Sequence, residues 1–532
     1  MSQQTITPQD IFNSLPKRFK AHKASNYEAV LHFDFTDKKS GESLQYTVSV
    51  QNGQCNVETG LIGTPQCVVK TSPQTYVDLE LGKANPMMAL TMGKLKVSNI
   101  GAMMEFTKLF ERFSPEALQA GETAQPAELK GTASRKPANG PLQGLRVLDL
   151  TRLLPGPLAT MMMADMGAEV IKIESPTFYD YTRDFPPHIG GESAGYLAFN
   201  RSKRSLLLDY ATPQGKEVMT KLIQTADIFI EQFRPGVMAK MGLDFASVKA
   251  INPKIIYVSV TGYGQTGPYA QLAGHDLNYI SYAGLLSGNQ NEAPQVPLVQ
   301  IADIAGGSYM AVIACLSAVY ARQRTGEGQF VDVSMMDGVM PLSVNPFSLH
   351  TATQQPQPRD EAFLSGGLVN YGIYPTQDGK YMALGTLEEK FWAKFCDVVG
   401  KPEWKGRILA PDKATLAQYK AELTELFRSR DAAYWTALGI EHDVMLNPVY
   451  DTAQVEHDPH VKARQMVVEM EHPTAGKLKT IGVPLKFSAT QAQPAWTPPL
   501  MGEDTLAILR EAGLTDEQIQ ALATQKVVQF GK

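Results

Sequence analysis

An imidazole and a carboxylate stand side by side at His275-Asp276, in the segment AGHDLNY, and further carboxylates stand at Asp303 in IADIAGG and Glu388 in LGTLEEKF. These residue types take and return protons. Histidine does so because its unperturbed pKa lies near neutrality, and a carboxylate does so once burial raises its basicity. Each also has a plain structural alternative. A His-Asp pair in a loop can be a hydrogen-bonded brace, an Asp ahead of Ala-Gly-Gly can be a helix N-cap, and Glu388 can be a solvated charge in a first helical turn. A second set, Lys172, Arg201, Lys203, Arg204, Arg234 and Lys240, could grip phosphate, arginine through paired hydrogen bonds and lysine as a point charge. Its alternative is a solvated basic face.

The elements that must carry these residues fall on either side of a seam between Glu116 and Leu142, rich in Ala, Pro, Gly and Thr. Residues 1–115 read as a small α+β unit. VLHFDF (30–35) and LQYTVSV (44–50) alternate as half-buried strands, and Asn52-Gly53 is a hairpin turn. TYVDLELG reads as a short helix closed by Gly82, and Met103, Phe106, Phe110 and Phe113 recur at helical spacing. Beyond the seam, LRVLDL (145–150), EVIKIE (169–174), SLLLD (205–209), DIFIE (227–231) and KIIYVSV (254–260) are short apolar runs separated by helical stretches such as 155–167 and 213–226. That pattern predicts an α/β fold with a parallel sheet covered on both faces. The stretch 341–470 reads as a smaller domain with its connectors, and 471–532 ends in a helix capped by Thr515.

Two resemblances add to this reading. GKANPMMALTMGKLKVSNIG (82–101) resembles the closing signature of the sterol-carrier-protein type 2 family. This implies a five-stranded sheet with helices around an apolar lipid tunnel, where Met87, Met88, Met92, Met103 and Met104 would be adaptable lining. From residue 144 onward, GLRVLDLTRLLPGPLATMMMADMGAEVIKIESP, RSLLLD, EQFRPGV, VSVTGYGQTGPYA, LAGHDLNY, IADIAGGSY and RTGEGQFVDVSMMDG resemble the family III CoA transferase (CaiB/BaiF-type) and α-methylacyl-CoA racemase superfamily. The resemblance implies a Rossmann-like large CoA-binding domain (143–340) completed by the C-terminal segment (471–532), an inserted small domain, and an interlocked homodimer. It also implies proton transfer at the α-carbon of a 2-methylacyl-CoA, an isomerase reaction, with CoA transfer through an aspartyl-CoA intermediate on Asp303 as the alternative. His275 would serve one face of that carbon and Asp303 the other, with Glu388 as the partner of the histidine and the backbone N–H of Asp276 against the thioester oxygen. Nucleotide contacts are implied at Leu208, Asp209, Arg234 and Lys240, and in the Gly274–Tyr279 loop, including Asn278. Ser175-Pro176 stands where the pattern has Arg-Pro, and Lys240 where a second Arg is usual, so the adenine contacts are expected to differ.

Composition bounds the rest. The chain has 532 residues, 43% hydrophobic, 19% charged, with net charge -5, and so offers no overall basic field for nucleic acid or an anionic membrane. Four scattered cysteines lack metal-type spacing and fit a reducing compartment. With no charged-then-apolar leader, no apolar run of membrane-spanning length and VVQFGK at the end, the expectation is a cytoplasmic enzyme without metal or organic cofactor, CoA being part of its substrate. Gly262, Gly264 and Gly267 form a formal G-x-G-x-x-G after a strand, but Pro268 follows at once and nothing acidic sits at the ribose position. They read as a flexible loop beside the site rather than a dinucleotide fingerprint.

Overall fold

The computed structural model describes residues 6–20, 27–36, 43–51, 53–81, 89–90, 93–110, 113, 135, 139–287, 294–356 and 362–531. The chain divides into two compact units, Met1–Gln125 and Pro126–Lys532. Most of the seam, Gly82, Asn52, Met87, Met88, Met92 and the side chain of Met104 lie outside the described residues.

In the first unit, β1 (Ala29–Thr36), β2 (Ser43–Gln51), β3 (Gln54–Thr59), β4 (Cys67–Thr71) and β5 (Leu95–Val97) form a sheet in the order β3-β2-β1-β4-β5. Period-two alternation puts Phe33 opposite Tyr46 and Leu31 opposite Val48, all buried. Gln51 pairs with Gln54 across a two-residue turn in which Gly53 takes φ +71°. The helix Pro8–Arg18, capped reciprocally by Thr7 and Asp10, inserts Phe12 between Tyr46 and Phe33, with ring centroids 4.2 and 5.0 Å away. The last helix covers Ile100–Thr107 and stops short of Phe110, whose backbone instead bridges to Phe19.

The second unit is built on β6 (Arg146–Asp149), β7 (Glu169–Glu174), β8 (Arg204–Leu208), β9 (Ile228–Glu231), β10 (Ile256–Thr261) and β11 (Phe330–Ser334). These six pair in parallel, in the order β11-β10-β9-β6-β7-β8, and the far edge is closed by an antiparallel strand, Val528–Gln529. Their apolar side chains feed two cores, one on each face, which is why the strands read as continuous hydrophobic runs. The order reverses between β6 and β9, so the loops after these two strands diverge and leave a crevice at their carboxyl ends. A separate core from Val369 to Leu446 packs around the three-stranded sheet of Tyr371–Pro375, Tyr381–Gly385 and Leu446–Pro448. The helix Asp516–Thr524 has the reciprocal Thr515–Gln518 cap.

One expectation needs correction. The helical stretch Ala302–Thr325 is long and apolar enough, by length and composition, to cross a membrane. Here Ala302, Ala311, Cys315 and Ala318 belong to the core on one face of the sheet.

The large core also holds charge. Asp149 accepts from Thr151 Oγ at 2.5 Å, Thr160 Oγ at 2.6 Å and Lys203 Nζ at 3.1 Å, and both Asp149 and Lys203 have fully buried side chains. Burial alone would raise this carboxyl, but Lys203, Lys172 and the two hydroxyls overcome it and hold it below the usual range. Replacing Asp149 by Asn should therefore cost about 3–5 kcal/mol, as expected for a buried ammonium stripped of its counter-ion. The check is the urea midpoint of Asp149→Asn against wild type at neutral pH.

Candidate active site

Of the candidate residues, His275 and Asp276 follow the carboxyl end of β10. After β10 the chain makes a loop instead of entering a helix. Gly264 and Gly267 take φ +80° and +90°, and the next helix begins only at Asp276. The formal glycine motif therefore lacks the helix that a pyrophosphate would need. Gly262 and Gly274 have a packing role. A Cβ on either would sit 2.3 or 2.6 Å from Cε1 of Tyr279, whose buried ring fills the space between them and whose hydroxyl donates to Gly274 O at 2.5 Å.

His275 is the residue before the helix Asp276–Tyr282. Its backbone N–H donates to Asn278 Oδ1 at 3.0 Å, and its imidazole is exposed. Asp276 occupies the first helical position, where a backbone N–H has no intrahelical acceptor. Its carboxylate does something the sequence did not reveal. Oδ1 accepts from the backbone N–H of Ala302 at 2.6 Å and of Asp303 at 3.0 Å. It thereby caps the next element, and Asp303 is not itself a cap.

That element, Ala302–Tyr309, is a π-helix, a form that recurs at functional sites. Glycine lets it lie against its neighbours. A Cβ on Gly306 would meet Met335 O at 2.2 Å, and one on Gly307 would meet Pro155 Cβ at 2.8 Å. Ser308 Oγ donates to Pro155 O at 2.8 Å and to Asp303 O at 3.0 Å, joining the loop after β6 to the turn that carries Asp303. Burial first, and the negative charge of Asp276 second, push the Asp303 carboxyl up to about 7. Tyr279 is raised mainly by burial and then by the charge of Asp303, while Arg234 opposes the rise. Asp276, Asp303, Tyr279 and Arg234 therefore share one electrostatic neighbourhood.

The other expected residues divide. Arg234 and Lys240 are exposed, and Asp209 is half-buried at the end of β8. Leu208 must be corrected. Its side chain is fully buried in the core and its backbone pairs with Val528, so it has no surface for a ligand. Four members of the expected phosphate-gripping set are also corrected. Lys172 is sealed against Asp180 at 2.9 Å, Arg201 against Asp165 at 2.8 Å, Lys203 against Asp149, and Arg204 against Glu169 and Glu511. Glu388 is exposed ahead of the helix Glu389–Val398, where its carbonyl receives Phe391 and Trp392 N–H. Among the described residues no hydrogen bond or ion pair links it to His275, Asp276 or Asp303.

Sequence reasoning passed over Arg152, Gln232, Thr261 and Gln265, near the carboxyl ends of β6, β9 and β10. Each has a buried polar atom without a hydrogen-bond partner, which is unusual unless a ligand or water completes it. Their signal was positional, since each follows or closes a strand. Nearby, Glu231 accepts from Phe233 N–H at 2.6 Å and from the Ser259 hydroxyl, fixing the turn that presents Gln232 and Arg234. Alongside the π-helix lies an apolar cavity of about 690 Å³, bordered by Leu158, Met161, Met162, Leu197, Ile304 and Tyr309. Among the described residues no group of three or more His, Cys, Asp or Glu forms a metal site.

A raised carboxyl binds its proton more tightly when folded, so the stability it contributes is complete below the unfolded pKa and disappears as pH rises through about 7. Asp303→Asn should thus melt above wild type at pH 8 and converge with it near pH 4. Thermal denaturation at the two pH values checks this.

Comparison with known proteins places the site in a family. Residues 142–505 match the model for CoA-transferase family III, and residues 12–111 match the SCP-2 sterol transfer family. The chain is 34% identical over 385 residues to succinyl-CoA:glutarate CoA-transferase of Homo sapiens, covering 71% of this chain and 87% of the relative. It is 32% identical over 397 residues to α-methylacyl-CoA racemase of Homo sapiens, covering 74% and 98%. Among solved structures, a CaiB/BaiF family protein from Brucella suis superposes with a TM-score of 0.62 at 32% identity, covering 70% of this chain and all of that one. The chain belongs to CoA-transferase family III, and its N-terminal domain to the SCP-2 sterol transfer family.

Proposed function

We propose that the chain epimerises 2-methylacyl-CoA thioesters by moving one proton off the α-carbon and another onto its opposite face, through an enolate. The observation that carries this reading is the Asp303 carboxyl pushed up to about 7, one hydrogen bond from the His275-Asp276 corner. A general base works best when its pKa lies near the working pH. Asp303 serves one face and the exposed His275 the other, and the Asp276 N–H meets the thioester oxygen as charge develops there. The thioester carbonyl itself accepts the electron pair, so the reaction calls for no metal or organic cofactor.

Asp209, Arg234, Lys240, Gly274, Asn278 and Tyr279 are the proposed nucleotide contacts. The strand order, reversing between β6 and β9, supports a Rossmann-like crevice for that end of the substrate. The apolar cavity beside Ile304 and Tyr309 supports a branched acyl chain at the other end. Ile313, Tyr320, Val344 and Phe347 are each more than half exposed, which supports a covering second copy. Glu388, from the small domain, is the proposed partner of His275. The four cysteines are free and buried, which supports a reducing compartment such as the cytoplasm.

The 34% identity to a glutarate CoA-transferase favours a second reading. There, the ionised Asp303 carboxylate attacks the thioester carbonyl and releases CoA thiolate. The thiolate then attacks the mixed anhydride, leaving an aspartyl-CoA thioester and the freed acid, and an acceptor acid reverses both steps. A carboxyl that burial holds in its protonated form more readily than a free one suits proton transfer better than this role.

Incubating a 2R-methylacyl-CoA in D2O separates the two. Racemisation gives deuterium at C2 with loss of optical purity, independent of any acceptor acid. CoA arriving on the acceptor without C2 exchange would replace this reading with transfer. His275→Ala should lower C2 exchange roughly a hundredfold or more, in line with the loss of a general acid–base. If the SCP-2 domain presents lipid to the site, deleting residues 1–120 should raise KM for long-chain acyl-CoA and leave short-chain KM unchanged. Steady-state kinetics on both substrates reads this out.

A further inference from the structure

Through the large domain, buried cations are matched by carboxylates. Lys172 has Asp180, Arg183 has Glu174, Arg201 has Asp165, Lys203 has Asp149, and Arg204 has Glu169 and Glu511. Arg152 breaks the pattern. It leaves the end of β6, where the strand order reverses, and it is only partly exposed. Its Nε is buried without a hydrogen-bond partner, and among the described residues no carboxylate lies within ion-pair distance of it.

Aromatic rings hold the guanidinium in place. It lies 3.8 Å from the centroid of Phe178, 5.3 Å from Phe233 and 5.7 Å from Tyr181. Rings stabilise a cation through their faces but accept none of its in-plane hydrogen bonds. Burial lowers the Arg152 pKa, and the acidic groups nearby, Tyr181, Tyr210 and Asp180, oppose this only in part. Of these, Asp180 is already committed to Lys172 Nζ, Leu153 N–H and Thr182. The result is a positioned, partly desolvated cation with an unfilled donor, a setting that an oxyanion completes.

Two neighbours say which oxyanion. Arg234 follows Phe233 in the chain and is exposed, which puts a second cation one residue from a ring of this clamp. Phe178 is 44% exposed and stacks on Phe233 at 5.9 Å, so aromatic surface of the kind on which a base stacks reaches solvent beside the guanidinium. Two cations with an aromatic platform match a nucleotide, whereas the cavity along the π-helix is apolar.

We propose that Arg152 binds a phosphate group in the nucleotide tail of the substrate, in the crevice between β6 and β9, with Arg234 as the second cation. The inference rests on the acyl-CoA reading of the site. The test is calorimetric titration of the full chain, wild type, Arg152→Ala and Arg152→Lys, with free CoA, with pantetheine, which lacks the nucleotide, and with succinate. The expected result is a roughly tenfold to hundredfold loss of CoA affinity in R152A, partial recovery in R152K, and no change for pantetheine. Equal CoA affinity in all three proteins would overturn the proposal. So would a loss that falls equally on pantetheine, which marks a structural role, or one confined to a carboxylic acid such as succinate, which marks an acyl-carboxylate reader. R152K, which keeps the charge, supplies the comparison should R152A fold poorly. Wild-type protein that binds no CoA would defeat the acyl-CoA reading instead.

Discussion

The carboxyl of Asp303 is held partly out of water beside a second carboxylate, and the large domain is arranged so that this costly placement persists. Asp276 supplies the negative charge, yet the same side chain caps the two N–H groups that open the π-helix. One residue therefore raises the basicity of its neighbour and fixes the backbone that carries it. Neither effect would survive a small shift. A carboxylate that lost the two amides would be free to turn to solvent, and the pKa of Asp303 would fall as the neighbouring charge and its own desolvation were lost.

Close packing supplies the rigidity. Gly306 and Gly307 let the π-helix press on Met335 and Pro155, and Ser308 ties its first turn to the loop after β6. That loop is anchored in turn by Asp149, whose carboxylate takes the hydroxyls of Thr151 and Thr160 and the ammonium of Lys203 within the core. The loop after β6, the start of the first large-domain helix and the turn that carries Asp303 thus form one connected set of contacts. Arg152, Gln232, Thr261 and Gln265, near the carboxyl ends of β6, β9 and β10, each keep a buried polar atom without a hydrogen-bond partner.

The parallel strands were legible because burial on both faces makes them short apolar runs between turns. The alternation of β1 and β2 was equally plain, and the loop character of the Gly262–Gly267 stretch followed from Pro268. What failed was charge. Arg201, Lys203 and Arg204 looked like phosphate ligands because their carboxylates come from elsewhere in the chain, Glu511 lying 307 residues from Arg204, while the partner of Lys172 is eight residues on, past a turn. Sequence spacing shows a cation but not its counter-ion. Leu208 was misjudged for a related reason, since the last residue of a strand can face the core as readily as a ligand. Register decides which, and register is set by Val528 far downstream. The capping role of Asp276 and the π-helix depend on a contact spanning 26 residues and left no local signature.

The central claim is that a desolvated aspartic acid titrates near neutrality in the resting protein. Carbon-13 NMR of protein labelled at the Asp side-chain carboxyl, with Asp303→Asn used to assign the resonance, measures this directly. A resonance that titrates with a midpoint near 7 and vanishes in the variant is the predicted result. A midpoint near 4, the ordinary aspartate range, would contradict the account.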